Sequence, residues 1–302
     1  YQRRVRGMTQ FGAISIVGQR NTNEDEHLVG DLLIQRESFH IMAVFDGHNG
    51  PEAAKYCQHK LQGFLVKKSS PQLQDTIRQA ILQLDAEFLN PTAGCTLTMA
   101  LFNKNQFFAA NVGDARTIYF TNKVHQATVD HKPSSPAEQL RLQQLNKVVT
   151  VVGGVARVGG QIAVSRAIGD HQFRHLGIVA DPDVFSIGEA PKWILCGCDG
   201  LFDVLSNEEV AAIVQTSWGE DFNGGGERIE QLKTAARFYG KGDVIKGDLA
   251  VQKLKQTYVD EMRVAKFGAK MSLVERTCCM LTRIAYILGS MDNVSVVIAK
   301  NG

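Results

Sequence analysis

The chain has 302 residues and sets 33 Lys and Arg against 31 Asp and Glu, a formal net charge of +2. That length can bury a large core, and the near-neutral balance offers no concentrated basic face of the kind a nucleic-acid partner requires. No apolar run approaches the roughly 20 residues of a membrane-spanning helix.

The first predicted element is a weakly alternating strand over residues 11–17, followed by a nearly all-apolar strand over 40–45 that ends at Asp46. Pro51 then opens a helix, because a fixed φ and a missing N–H suit a first helical turn, and Ala53, Ala54, Cys57, Leu61 and Leu65 recur at helical spacing. A second amphipathic helix spans 72–89, with Leu73, Ile77, Ile81, Leu84 and Phe88 on one face. From Cys95 to Thr128 the period changes to two, with turns at Asn103-Lys104-Asn105 and Gly113-Asp114, which reads as an antiparallel meander. A short helix is expected over 136–144, then a stretch rich in glycine and valine over 148–160, and a buried strand from Lys192 to Cys198 that stops at Asp199. Ser206 and Glu209 form the sequence of a capping box for a helix through Val214. Residues 219–270 combine Gly224-Gly225-Gly226 with polar helical stretches lacking a strong apolar face, and read as an insertion. A helix over 272–288 and a strand over 294–299 close the chain.

The six cysteines lack C-x-x-C spacing and sit in apolar stretches, as buried thiols do in a reducing compartment, so the cytoplasm or nucleus is favoured. Because the sequence opens at Tyr1, an N-terminal targeting segment removed beforehand stays open. The short basic clusters Arg3-Arg4-Val5-Arg6 and Lys67-Lys68 read as solvated surface.

The chemistry concentrates where apolar runs stop at Asp-Gly: Val44-Phe45-Asp46-Gly47-His48 and Cys198-Asp199-Gly200-Leu201-Phe202-Asp203. A buried strand fixes the carboxylate, and the missing Cβ of the glycine lets a carbonyl or water approach closely. Alone, each pair is an ordinary turn. Together with Glu24-Asp25 and Asp292-Asn293 they suggest one oxygen-rich pocket, which selects a hard divalent cation. Carboxylates gathered with no lysine or arginine adjoining would repel each other, and two cations would neutralise them. Two such ions, roughly 3.5–4 Å apart, suffice to activate a water toward phosphorus. Arg20 has the planar donor geometry that grips phosphate oxygens, and His48 is placed to protonate a leaving alkoxide. The chain carries no G-x-S-x-G elbow, so no serine nucleophile of that type is expected.

The ordered set Arg20 with Glu24-Asp25, Val44 to His48, Gly94-Cys95-Thr96, Asn111 to Arg116, Asp130 to Pro133, Ala163 to Asp170, Cys198 to Asp203, and Asp292-Asn293 resembles the metal-dependent protein phosphatases of the PP2C (PPM) family. The resemblance implies an α+β fold, a four-layer α/β/β/α sandwich whose central antiparallel β-sandwich is flanked by helices. It implies a single domain over 1–302, with a flap at about 171–187 and the insertion at about 219–270. It implies hydrolysis of phosphoserine and phosphothreonine proteins by a metal-activated water at a binuclear Mg²⁺ or Mn²⁺ centre. Asp46 would bridge both metals, Gly47 would give its carbonyl, Asp199 and Asp292 would hold one ion, and Glu24 and Asp25 would contact the other. Asp114 and Asp203 match positions that support a weaker third ion in some members. Arg20 would bind substrate phosphate and His48 would be the general acid, while Arg166 takes a structural or orienting part and Thr96 supports the sheet.

His171, Arg174 and His175 make the flap basic, which would favour acidic substrate segments. A monomer without a membrane span or nucleic-acid partner is expected. Two other readings stay open: a catalytically silent scaffold or regulatory binding protein of the same fold, and a metal-dependent nuclease. The scaffold is disfavoured by the retained acids and Arg20, the nuclease by the absent basic face.

Overall fold

The computed structural model describes residues 8–68, 70–256 and 259–301, so the basic cluster Arg3 to Arg6 lies outside the described residues. The chain divides into two compact units, each gathered from separated stretches of sequence. One takes residues up to 23, 118–126 and those from 190 onward; the other takes 24–117 and 127–189.

In chain order the first elements are β1 (Gln10–Ile16), β2 (Glu26–Ile34), β3 (Glu37–Phe45), β4 (Gly47–His48), α1 (Glu52–Lys67) and α2 (Leu73–Glu87). Next come β5 (Gly94–Cys95), β6 (Leu97–Phe102), β7 (Phe107–Val112), β8 (Arg116–Phe120) and β9 (Val124–Gln126). The middle of the chain forms α3 (Pro136–Gln144), the hairpin β10 (Val149–Val152) and β11 (Val155–Val158), β12 (Ile168–Gly169), a 3₁₀ helix (His171–Leu176) and β13 (Asp183–Gly188). The remainder comprises β14 (Trp193–Gly197), α4 (Asp199–Phe202), α5 (Asn207–Ser217), α6 (Glu227–Gly240), α7 (Val244–Gln252), α8 (Leu273–Ile287) and β15 (Val294–Lys300).

In the unit built from 24–117 and 127–189, a five-stranded sheet runs β13-β7-β6-β3-β2 and a small sheet runs β12-β5-β4. Ile41, Ala43 and Phe45 of β3 are buried together with Ala53, Ala54, Cys57, Leu61 and Leu65 of α1 and Ile77, Ile81 and Leu84 of α2, so the helical stripes read from sequence are the ones that form the core. β2 was not foreseen. It pairs with β3 from Glu26↔Phe45 to Ile34↔Glu37 through a two-residue turn at Gln35 and Arg36, both at positive φ. Such a turn ordinarily takes Asn-Gly or Asp-Gly, and neither residue here signals it.

In the other unit the sheet order is β1-β15-β14-β8-β9, with β1 antiparallel to β15 from Gln10↔Lys300 to Ile16↔Val294. The period-two stretch from 95 to 128 is therefore not one meander: β6 and β7 pair with each other, whereas β8 and β9 belong to the sheet with β14. The break falls at Gly113, whose φ of +96° turns the chain. α8 packs closely on β1, where a Cβ at Gly12 would lie 2.7 Å from the Glu275 nitrogen. Both α5 and α8 begin with a complete capping box, from Ser206 with Glu209 and from Ser272 with Glu275.

Residues 219–270 do carry an apolar face. Leu232, Ala235, Ala236 and Tyr239 of α6 and Ala250 and Val251 of α7 are buried in the same core as α5 and α8. Alanines and a tyrosine give a weak hydrophobic signal, which is why the face escaped the sequence. All six cysteines are free and buried. Burial pushes Cys279 up to about 11, as expected of inert packing thiols. Among the described residues no helix is long and apolar enough to cross a membrane.

Candidate active site

In the unit built from 24–117 and 127–189, the buried strand β3 delivers Asp46 at its end, and Gly47 begins β4 at once. A Cβ on Gly47 would stand 2.3 Å from the Glu24 carbonyl oxygen, so glycine is the residue that lets the two chain segments touch. The Gly50 N–H donates to Glu24 Oε2 at 3.2 Å, and neighbouring Asp25 is buried. Behind this turn the Thr96 N–H donates to the Asp46 carbonyl at 2.8 Å. Gly113 packs on Thr96, its ideal Cβ only 2.7 Å from Thr96 Cβ, which brings the turn holding buried Asp114 to the same sheet end. Thr96 thus supports the sheet.

In the other unit Asp199 opens α4 directly after β14. A Cβ on Gly200 would lie 2.0 Å from the Asn293 carbonyl oxygen and 3.4 Å from Asp292 Cβ, so the Asp199 and Asp292 turns are pressed together. Asp203 is exposed one helical turn on, its N–H donating to the Asp199 carbonyl at 2.7 Å. The carboxylates here do adjoin a cation: Arg20 Nη2 donates to Asp292 Oδ2 at 2.6 Å and its Nε to the Met291 carbonyl at 3.1 Å. Asn293 Nδ2 donates to the carbonyls of Val17 at 2.8 Å and Thr22 at 2.9 Å, and Arg263 donates to those of Gly18 at 3.1 Å and Arg20 at 2.7 Å. The loop bearing Arg20 is thereby held from two sides.

The donor chemistry fits hard cations. Carboxylates and a backbone carbonyl supply only oxygen, and at Gly47 and Gly200 the cradle is one that a Cβ would fill.

His48 Nε2 lies 2.6 Å from Oδ2 of Asp170, a fully buried carboxylate. Asp170 stands within the Ala163 to Asp170 motif, but sequence reasoning gave it no part; an aspartate directly after Gly169 with no solvent-facing pattern was the available signal. The flap's basic groups are engaged locally. Arg174 pairs with Asp85 and donates to the Ile178 carbonyl at 3.0 Å, His171 Nε2 lies 2.7 Å from the Phe88 carbonyl, and His175 Nδ1 lies 2.7 Å from the Gln172 carbonyl. Arg174 therefore carries little unpaired charge toward an acidic substrate. Arg166 is a scaffold residue, bonded to Glu138, to Asp183 and to the Asp181 carbonyl. Burial alone would raise the Glu138 carboxyl, yet the Arg166 and Arg141 guanidiniums hold it down at about 2.

Comparison with known proteins decides the relationship. The family model described as protein phosphatase 2C matches residues 9–244. The chain belongs to the protein phosphatase 2C family. Members are metal-dependent serine/threonine phosphatases, and this chain is a protein serine/threonine phosphatase by that membership. Protein phosphatase 2C 1 of Paramecium tetraurelia is 32% identical over 241 residues, covering 70% of this chain and 78% of the relative. Among solved structures, a serine-threonine phosphatase 2C from Toxoplasma gondii matches with a TM-score of 0.67 at 17% identity, covering 97% of this chain and 95% of that one. A C. elegans sex determining protein matches with a TM-score of 0.72 at 21% identity over 96% of this chain, which spans 64% of that protein's chain. These likenesses show that the fold is the PP2C fold. The family match runs through α6 to the first residue of α7, so the first half of the 219–270 segment lies inside it.

Proposed function

We propose that this phosphatase works on phosphoserine and phosphothreonine proteins with two Mg²⁺ or Mn²⁺ ions held by Glu24, Asp25, Asp46, the Gly47 carbonyl, Asp199 and Asp292, and with Asp114 and Asp203 open to a weaker third ion. The observation that carries it is the pair of Asp-Gly turns packed so closely on a neighbouring carbonyl that a Cβ would stand 2.3 Å from the Glu24 oxygen at Gly47 and 2.0 Å from the Asn293 oxygen at Gly200, a construction that leaves room for oxygen donors and nothing bulkier. When bound, the ions supply positive charge that neutralises these carboxylates and polarises a water and the phosphoryl oxygens.

The chain's own residues do the rest. Arg20, fixed against Asp292 and the Met291 carbonyl, presents a planar fork to the phosphate oxygens. As the P–O bond to serine or threonine breaks with its electron pair on oxygen, His48 gives that oxygen a proton while water supplies the incoming hydroxyl and releases a proton to solvent. A chain acting alone in the cytoplasm or nucleus is part of the same reading.

Hydrolysis of a phosphothreonine peptide with and without Mn²⁺, set beside Asp199→Ala, tests it. Turnover should require the metal and fall by orders of magnitude in the variant. Metal-independent turnover, or a variant as active as the parent, would overturn the reading.

A further inference from the structure

We propose that Asp170 is a positioning residue for His48, fixing the orientation of the ring that protonates the leaving oxygen; the inference rests on the reading of His48 above. Three observations converge. Asp170 is fully buried, its Oδ2 lies 2.6 Å from His48 Nε2, and its Oδ1 has no hydrogen-bond partner among the described residues. Its backbone is left-handed, at φ 51° and ψ 33°, a conformation that residues other than glycine adopt only at a cost. The small sheet explains how the carboxylate reaches the ring: His48 and Gly169 both pair across Gly94, on the central strand. A Cβ on Gly94 would sit 2.4 Å from both Cγ and Oδ2 of Asp170, so the missing side chain is the window through which the two groups meet.

A buried carboxylate with one oxygen unpartnered and a strained backbone is a poor way to stabilise a loop. It is a good way to aim an imidazole. With Nε2–H donated to Asp170, the ring cannot rotate, and Nδ1–H is the proton left facing the substrate for the leaving oxygen.

The test uses leaving groups that need the proton to different degrees: a phosphothreonine peptide, phenyl phosphate and p-nitrophenyl phosphate, each with Mn²⁺. Asp170→Asn should lose about tenfold or more in kcat on the first two, a part of the roughly hundredfold or more that a general acid supplies, and lose clearly less on p-nitrophenyl phosphate, whose leaving group departs unaided. Gly94→Ala should show the same selectivity. In a His48→Gln background Asp170→Asn should add no further loss on the peptide. Equal losses on all three substrates, or an additive loss beside His48→Gln, would overturn the proposal. So would an Asp170→Asn chain that fails to fold, since the residue would then serve the scaffold. If His48→Gln itself shows no leaving-group selectivity, the reading of His48 is what fails; if it does and Asp170→Asn does not, only Asp170 is misplaced.

Discussion

At the scale of single residues, the glycines beside the acids do more than permit turns. Gly200 faces a backbone oxygen that cannot step aside like a side chain, so Gly200→Ala must displace either the Asp199 turn or Asn293. Overpacking of that kind costs about 1–3 kcal/mol, and urea unfolding should show it together with a large loss of turnover. Gly63 makes the contrast. It lies in the interior of α1 with nothing within 4 Å of its ideal Cβ, so Gly63→Ala should stabilise by about 0.5–1 kcal/mol and leave turnover unchanged. The Asp-Gly signature was legible because an apolar run ending abruptly in an acid is a local pattern. Asp170 was not, because it follows a strand two removed from that of the ring it serves, and its meaning depends on a side chain missing from Gly94 on the strand between them. The Arg20 to Asp292 contact was equally hidden, joining residues 272 positions apart.

At the scale of elements, α3 is tied down by charge rather than by apolar burial. It begins at Pro136 and buries Glu138 and Leu142, with Glu138 accepting from both Arg141 and Arg166. Asp183 on β13 completes the network. The hydrogen bond from His131 comes first in lowering it, Arg166 adds to that, and its carboxyl is held at about 2. Both carboxyls are depressed in the folded state, from ordinary values of 4.5 and 3.8, so they contribute stability that is fully present above those values and lost as pH falls toward 2. The unfolding free energy should therefore decline between pH 5 and pH 2 by at most about 3 kcal/mol for Glu138. Asp183, more exposed, contributes less. Chemical denaturation along that pH series checks it: Glu138→Gln should be less stable than the parent at neutral pH and flatter on the acid side. Strong apolar periodicity made α1 and α2 readable, whereas α3 was visible only through its proline. β2 and the split of the supposed meander were invisible because a Gln35-Arg36 turn and a strand that changes sheets leave no mark on the hydrophobic pattern.

At the scale of the whole molecule, the open question is whether residues 219–270 belong to the unit that holds Asp199 and Asp292 or merely hang from it. The answer lies in Arg283 of α8, which is almost fully buried. Its Nε and Nη2 each bond Asp248 at 2.6 Å, it also pairs with Glu261, and the Tyr239 hydroxyl donates to Asp248 at 2.6 Å. Two acids of the segment thus converge on one cation of α8, and four side chains of α6 are buried in the same core. Removing only the cation strands Asp248 in a site where it stays mostly covered, so Arg283→Met should cost about 2–3 kcal/mol, below the full penalty for a buried pair because Glu261 reaches water. Adding Asp248→Asn and Glu261→Gln to that variant removes the stranded charges and should restore much of the loss. Urea unfolding of the three chains reads both steps. If Arg283→Met unfolds at the same denaturant concentration as the parent, the segment is separable from the unit, and the core contacts of α6 contribute little to holding it.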